Sequence, residues 1–145
     1  MRVDLRAITA ENLEDCIRLR PADDQLSYVS PNVYAIAETK VSPAETPLGI
    51  YDGDTLVGLV VYGRSPTDGN FWIQRLMIDQ RFQHLGYGKA ALGEVLRRLR
   101  SLPDCAEVRV SYDPANTTAA RLYASAGFHS TSETLFGEEV GRLPL

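Results

Sequence analysis

The chain is poor in the residues that build metal centres, disulfide frameworks and membrane spans. It has two cysteines, Cys16 and Cys105, in no CxxC arrangement, and two histidines, His84 and His129. So small and scattered a set of soft ligands predicts no metal site. The two thiols are expected as separate buried side chains rather than a disulfide. No apolar run approaches the ~18 residues that argue for a membrane span, so no membrane partner is expected. The opening "MRVDLRAITAEN" lacks the apolar core of a secretory signal, which predicts a cytoplasmic protein. Basic residues are also in deficit, 15 Lys and Arg against 19 Asp and Glu, for a net charge of −4. That balance speaks against a nucleic-acid partner and favours small cationic ones.

What remains is an ordinary globular composition, 44% hydrophobic and 23% charged, over 145 residues. This length suits one domain, residues 1–145, with a sizeable core. "VDLRAIT" reads as a strand, and "AENLEDCIRLR" as a helix stopped by Pro21. "PADDQLSYVSPN" reads as a loop and "VYAIAETK" as a second helix. "PLGIYDGDTLVGLVVYGRS" is two strands around the Asp52-Gly53-Asp54 turn, and "FWIQRLMID" a third β-rich run. In "GKAALGEVLRRLRSL", Ala91, Leu92, Val95, Leu96 and Leu99 share one helical face. "AEVRVSYD" alternates as a strand, "PANTTAARLYASAG" is a helix between Asn116 and Gly127, and a hairpin around "FGEE" closes the chain. The order predicts an α/β fold, a mixed sheet with helices on its faces.

One stretch resists a purely structural account. In "RFQHLGYGKAA", Gly86 and Gly88 flank Tyr87 between a strand ending near Asp79 and a helix beginning near Gly88. A strand–turn–helix junction presents unpaired N–H groups and the positive end of a helix dipole, and glycine lets a phosphate approach them. Lys89 adds a positive charge in the first turn, where the helix itself gains nothing from it. A Gly-rich connector is the alternative. The dinucleotide fingerprint GxGxxG and the P-loop GxxxxGK[ST] are both absent.

The match that remains is Gln83-His84-Leu85-Gly86-Tyr87-Gly88, a Q-x-x-G-x-G run directly after a strand. It resembles the acyl-CoA loop of the GNAT N-acetyltransferase superfamily. "NTTAARLYASAGF", Asn116 to Phe128, resembles that family's second motif, N-x-x-A-x-x-L-Y-x-x-x-G-F, in the right order and at the right remove. The resemblance covers nearly the whole chain. It implies a mostly antiparallel sheet with two splayed strands and about four helices, and acetyl-CoA as cosubstrate. "RLMIDQRFQHLGYGKAAL" and "DQLSYVSPN" further resemble bacterial members that acetylate spermidine and spermine.

By this resemblance, the backbone of Met77, Ile78 and Asp79 would pair with the pantetheine arm, and the Ile78 N–H would polarise the thioester carbonyl. The loop Gln83, His84, Leu85, Gly86, Tyr87, Gly88, Lys89 and Ala90 would hold the pyrophosphate through main-chain N–H groups. Asn116 would contact the pantetheine arm, with a simple N-cap as the alternative. Tyr123 would protonate the departing thiolate, for which a phenol of pKa near 10 is a suitable donor. Many relatives carry a carboxylate where this chain has Gln74, which cannot act as a base. Asp23, Asp24, Gln25, Tyr28, Trp72 and Gln74 are the candidate acceptor-binding residues, the acids for ammonium groups and the aromatics for cation–π contact, with solvated loop charges the alternative for Asp23 and Asp24 and core packing for Trp72. The acceptor is expected to be a small-molecule primary amine, a polyamine. A protein N-terminus, an amino acid, an aminoglycoside, or a CoA-binding module without turnover stay open. A homodimer through the C-terminal hairpin or a sheet edge stays open too.

Overall fold

The computed structural model describes residues 1–145. Seven strands and four helices follow in the order β1 (Asp4–Ala7), α1 (Leu13–Arg18), α2 (Asn32–Val41), β2 (Glu45–Asp52), β3 (Thr55–Arg64), β4 (Phe71–Ile78), α3 (Tyr87–Arg100), β5 (Glu107–Tyr112), α4 (Thr117–Ser125), β6 (His129–Leu135) and β7 (Glu138–Pro144). They make one sheet in the order β1-β2-β3-β4-β5-β7-β6, antiparallel except between β4 and β5. The segment expected as a loop between α1 and α2 winds into a 3-10 helix, Asp23–Tyr28.

Central β3 carries Val57, Leu59, Val60 and Val61, all buried, as suits a strand covered on both faces. Val60 joins the larger core, which includes Ala91, Leu92, Val95, Leu96 and Leu99 of α3 and Tyr123 of α4. Leu59 turns to the opposite side, where Leu19, Met77 and Ile36 pack. Cys16 and Cys105 are buried and unpaired. Burial and neighbouring Asp15 push the Cys16 thiol up to about 11, so it serves as a small apolar side chain.

Two irregularities shape the middle of the sheet. Val61 pairs with Arg75 and Tyr62 with Ile73, so Gln74 is an extra residue bulged out of β4. Parallel pairing between β4 and β5 is confined to Phe71↔Val108 and Trp72↔Arg109. Beyond Trp72 the strands part, while β5 stays paired with β7 along its whole length. A wedge opens between the unpaired edges of β4 and β5.

Candidate active site

Strand alternation decides which β4 groups face the wedge. The Asp79 amide donates to the Val57 carbonyl of β3 at 2.8 Å, and the register pairs Met77 with Leu59 in the same phase. The backbones of Met77 and Asp79 are therefore committed to β3, which corrects the expectation that they would pair with a ligand. Leu76 and Ile78 turn theirs toward the opening; Leu76 was missed, although alternation from Ile78 would have found it.

Asp79 serves instead as a staple. The residue is only 3% exposed, and its carboxylate accepts from the Arg20 amide at 2.9 Å, the Arg81 amide at 3.1 Å and Arg81 Nε at 2.7 Å. Burial pushes its carboxyl up, but these hydrogen bonds win and hold it below the ordinary carboxylate value. The staple folds Gln80–Phe82 into a 3-10 turn and aims the loop beyond it.

That loop holds a row of unused donors. None of the amides from His84 to Lys89 has an acceptor within the protein; the first bonded one is Ala90, donating to the Gly86 carbonyl at 3.1 Å. Ala90 is thus outside the donor row expected for it, and α3 begins at Tyr87 rather than Gly88. His84 and Gly86 both have positive φ, 63° and 93°, and curl successive N–H groups toward one side. A Cβ on Gly88 would meet Leu122 and Ile78 only at ordinary contact distances, 3.7 and 3.9 Å. The protein itself leaves that space unfilled. Tyr87 Oη bonds to Asp52 Oδ2, tying the loop to the β2–β3 turn, while the side chains of His84, Leu85 and Lys89 are exposed.

Tyr123 is set in place by both ends of its helix. At the start, Asn116 Oδ1 accepts from the Ala119 amide at 3.2 Å, a side-chain cap worth about 1 kcal/mol. At the end, Phe128 N–H reaches the Tyr123 carbonyl (3.1 Å) and Gly127 N–H that of Ala124 (3.0 Å), with Gly127 at φ 102°. This is the Schellman arrangement, and its usual apolar contact is the Tyr123–Phe128 ring pair at 5.5 Å. Tyr112 of β5 stacks on the other side of the ring at 5.7 Å. The Tyr123 hydroxyl has no partner in the protein. Burial, then the charge of Glu138, then Tyr112 push its pKa well above the normal phenol value, so it is a protonated donor throughout the physiological range.

Two cavities meet at Tyr123. The first, about 170 Å³, runs from the glycine loop along β4 between Leu76, Ile78, Gly88 and Asn116. The second, about 300 Å³, lies across the wedge and is walled by Tyr28, Gln74, Arg75, Tyr112, Asp113 and Glu138. Leu76, Asn116, Ala119 and Tyr123 line both.

Of the expected acceptor residues, Tyr28 and Gln74 reach the second cavity and Gln25 the first. Gln83 Nε2 bonds to Gln25 Oε1 (2.9 Å) and to the Ile78 carbonyl (3.0 Å), clamping the α1–α2 segment to the end of β4. Gln74 Nε2 reaches Glu45 at 2.9 Å, whose carboxyl burial and Glu38 hold above the usual range. Asp23 and Asp24 are exposed and line neither cavity. Trp72 sits at the paired end of β4, its Nε1 held by the Asp68 carboxylate at 3.0 Å, and also stays outside. The acids that do face the cavity, Asp113 and Glu138, were missed. Only the β5–β7 register, Tyr112 opposite Glu139, brings them side by side.

The sequence profile of the Acetyltransferase (GNAT) family matches residues 12–128. A spermine/spermidine N(1)-acetyltransferase of Bacillus subtilis (strain 168) is 31% identical over 147 residues, covering 97% of each chain. Among solved structures, an acetyltransferase from Thermus thermophilus superposes with a TM-score of 0.78 at 19% identity, covering 100% of this chain and 98% of the other. A spermidine N-acetyltransferase from Vibrio cholerae in complex with CoA and spermine gives 0.75 at 18% identity, covering 97% and 93%. At these identities the structural likeness speaks for the fold.

Proposed function

The chain belongs to the GNAT acetyltransferase family, with acetyl-CoA as its acetyl donor, and we propose that residues 1–145 form one domain acetylating a primary amine of a polyamine. The observation that carries this reading is the meeting of the two cavities at Tyr123. The unpaired amides of His84 to Lys89 suit a pyrophosphate, and the edge groups of Leu76 with the Ile78 N–H suit the amides of a pantetheine arm. The thioester supplies an activated acyl group. The chain's own task is to align it and to manage protons.

An amine that has given its ammonium proton to solvent attacks the carbonyl from the second cavity, with the Ile78 N–H facing the wedge as donor to the developing oxyanion. Tyr123 Oη holds the proton for the leaving sulfur. It is replenished by the proton that the new amide nitrogen must lose, so the hydroxyl ends the cycle neutral. Gln74 takes no part in proton transfer; its contact with Glu45 shapes the wall. The near relatives named for spermine and spermidine support a freely diffusing, cationic acceptor, and two buried free thiols fit work in the cytoplasm.

The test is an assay of CoA release, with product masses, against polyamines, a protein N-terminal peptide, amino acids and an aminoglycoside. Acetylated spermidine or spermine is expected. Tyr123→Phe should lower kcat by about 10²–10⁴ with little change in acetyl-CoA affinity, because its interaction develops in the transition state. Turnover of another acceptor class with none of the polyamines would overturn the acceptor; a variant with wild-type kcat under chemistry-limited conditions would remove Tyr123 from the mechanism.

A further inference from the structure

Nine ion pairs link residues within 4 Å. Three charged side chains that wall the second cavity, Asp113, Glu138 and Arg75, belong to none of them. Arg75 is the most telling, because the residue is only 8% exposed. Its Nε and Nη2 are both spent on Asn32 Oδ1, at 3.0 and 2.6 Å, and Nη1 has no partner in the protein. A guanidinium this enclosed is ordinarily held by a carboxylate, and here none is present. Burial lowers its pKa to about 10, which still leaves it charged at neutral pH.

Glu138 lies across the same cavity, at the start of β7. Ser111 Oγ donates to its Oε1 at 3.0 Å, which orients the carboxylate and leaves Oε2 without a partner. Asp113 Oδ1 is engaged by the Ala115 amide at 2.9 Å, and that carboxylate too has no cation. The cavity is therefore polarised, with Asp113 just past β5 and Glu138 on β7 as its anionic side and Arg75 on β4 as its cationic side, and Tyr123 lies where it joins the first cavity.

Acetyl transfer asks two different things of a polyamine. The reacting nitrogen must be neutral to have a free electron pair, and every other nitrogen stays an ammonium at pH 7. A carboxylic acid is more acidic than an alkyl ammonium by about 6 pK units. A carboxylate facing an ammonium therefore forms an ion pair and does not take its proton. A guanidinium repels an ammonium and tolerates an amine. We infer that Glu138, backed by Asp113, receives the ammonium flanking the reacting nitrogen, while Arg75 keeps the opposite wall for the neutral nitrogen, so that the cavity selects chains carrying at least two amines. This inference rests on the acetyltransferase reading above.

The experiment compares kcat/KM for spermidine and for n-butylamine, which lacks the second nitrogen, in wild type, Glu138→Gln, Glu138→Asp and Asp113→Asn. Glu138→Gln removes the charge and keeps the shape. The spermidine-to-butylamine ratio should fall by about 10–100-fold, the range of one desolvated charge pair, chiefly through the KM for spermidine. Glu138→Asp should recover part of the ratio, and Asp113→Asn should lower it less. Unchanged acetyl-CoA affinity in calorimetry shows that the variants fold. An unchanged ratio in Glu138→Gln overturns the inference. Equal losses for both amines also overturn it, because Glu138 would then act on the reacting centre. So does a preference for an amino acid over spermidine, with Arg75 taking its carboxylate. If wild type acetylates no amine at all while binding CoA, the acetyltransferase reading itself falls, and this inference with it.

Discussion

At the scale of single residues, the two loop glycines look alike in sequence and differ in what requires them. Gly86 sits at φ 93°, where a side chain costs about 1–2 kcal/mol. Gly88 has ordinary φ and room for a methyl group. Gly86→Ala should therefore lower Tm by about 2–6 °C, while Gly88→Ala, inside α3, should keep or slightly raise Tm and weaken acetyl-CoA binding at least tenfold by filling space the ligand needs. Thermal melts and calorimetry on both variants check this. Loss of stability in Gly88→Ala with intact binding would return that glycine to a packing role. Asp23 and Asp24 teach the converse lesson. Acids in an acid-rich loop suggest a cation site, yet both side chains stand in solvent, where charge pairs contribute little.

At the scale of elements, function comes from an interrupted strand. The bulge at Gln74 and the short pairing of β4 with β5 leave the backbone groups of Leu76 and the Ile78 N–H without a strand partner along an edge inside the protein. Buried backbone groups are seldom left unpaired, so an internal edge of this kind calls for a ligand that behaves as a strand. Hydrogen exchange should report it directly. Acetyl-CoA is expected to slow exchange at the amides of Leu76, Ile78 and His84 to Lys89. Met77 and Asp79, already bonded to β3, should change little. Protection at Met77 and Asp79 without any at Leu76 and Ile78 would mean that the phase assigned to β4 is wrong.

For the whole molecule, the wedge divides the sheet into β1-β2-β3-β4 and β5-β7-β6, joined by two residue pairs and by the core under α3 and α4. A ligand whose arm bridges both halves should stiffen the entire fold. Acetyl-CoA at 100 times its Kd adds about 2.7 kcal/mol, a rise in Tm of about 5–10 °C for a chain of this size. Adenosine 3′,5′-bisphosphate lacks the pantetheine arm, so its Kd should be higher and its rise clearly smaller at equal free concentration. Equal rises would show that the arm does not occupy the wedge. No helix is long and apolar enough to cross a membrane.

The sequence by itself determined the order and type of the elements, because those follow from local signals. Apolar periodicity marks α3, Asn116 and Gly127 bracket α4, and Asp52-Gly53 turns β2 into β3. It also marked the glycine loop and Tyr123, since both lie in contiguous stretches whose spacing is readable. Only the tertiary structure decided which groups share a cavity. The phase of β4 rests on a hydrogen bond from Asp79 to Val57, and the placing of Glu138 beside Asp113 rests on antiparallel register across a hairpin. Arg75 reads as a strand residue like any other until Asn32 of α2 folds over it. Short-range patterns record what each segment prefers. Strand pairing between distant segments sets which charges face one another, and that arrangement creates the polarised pocket.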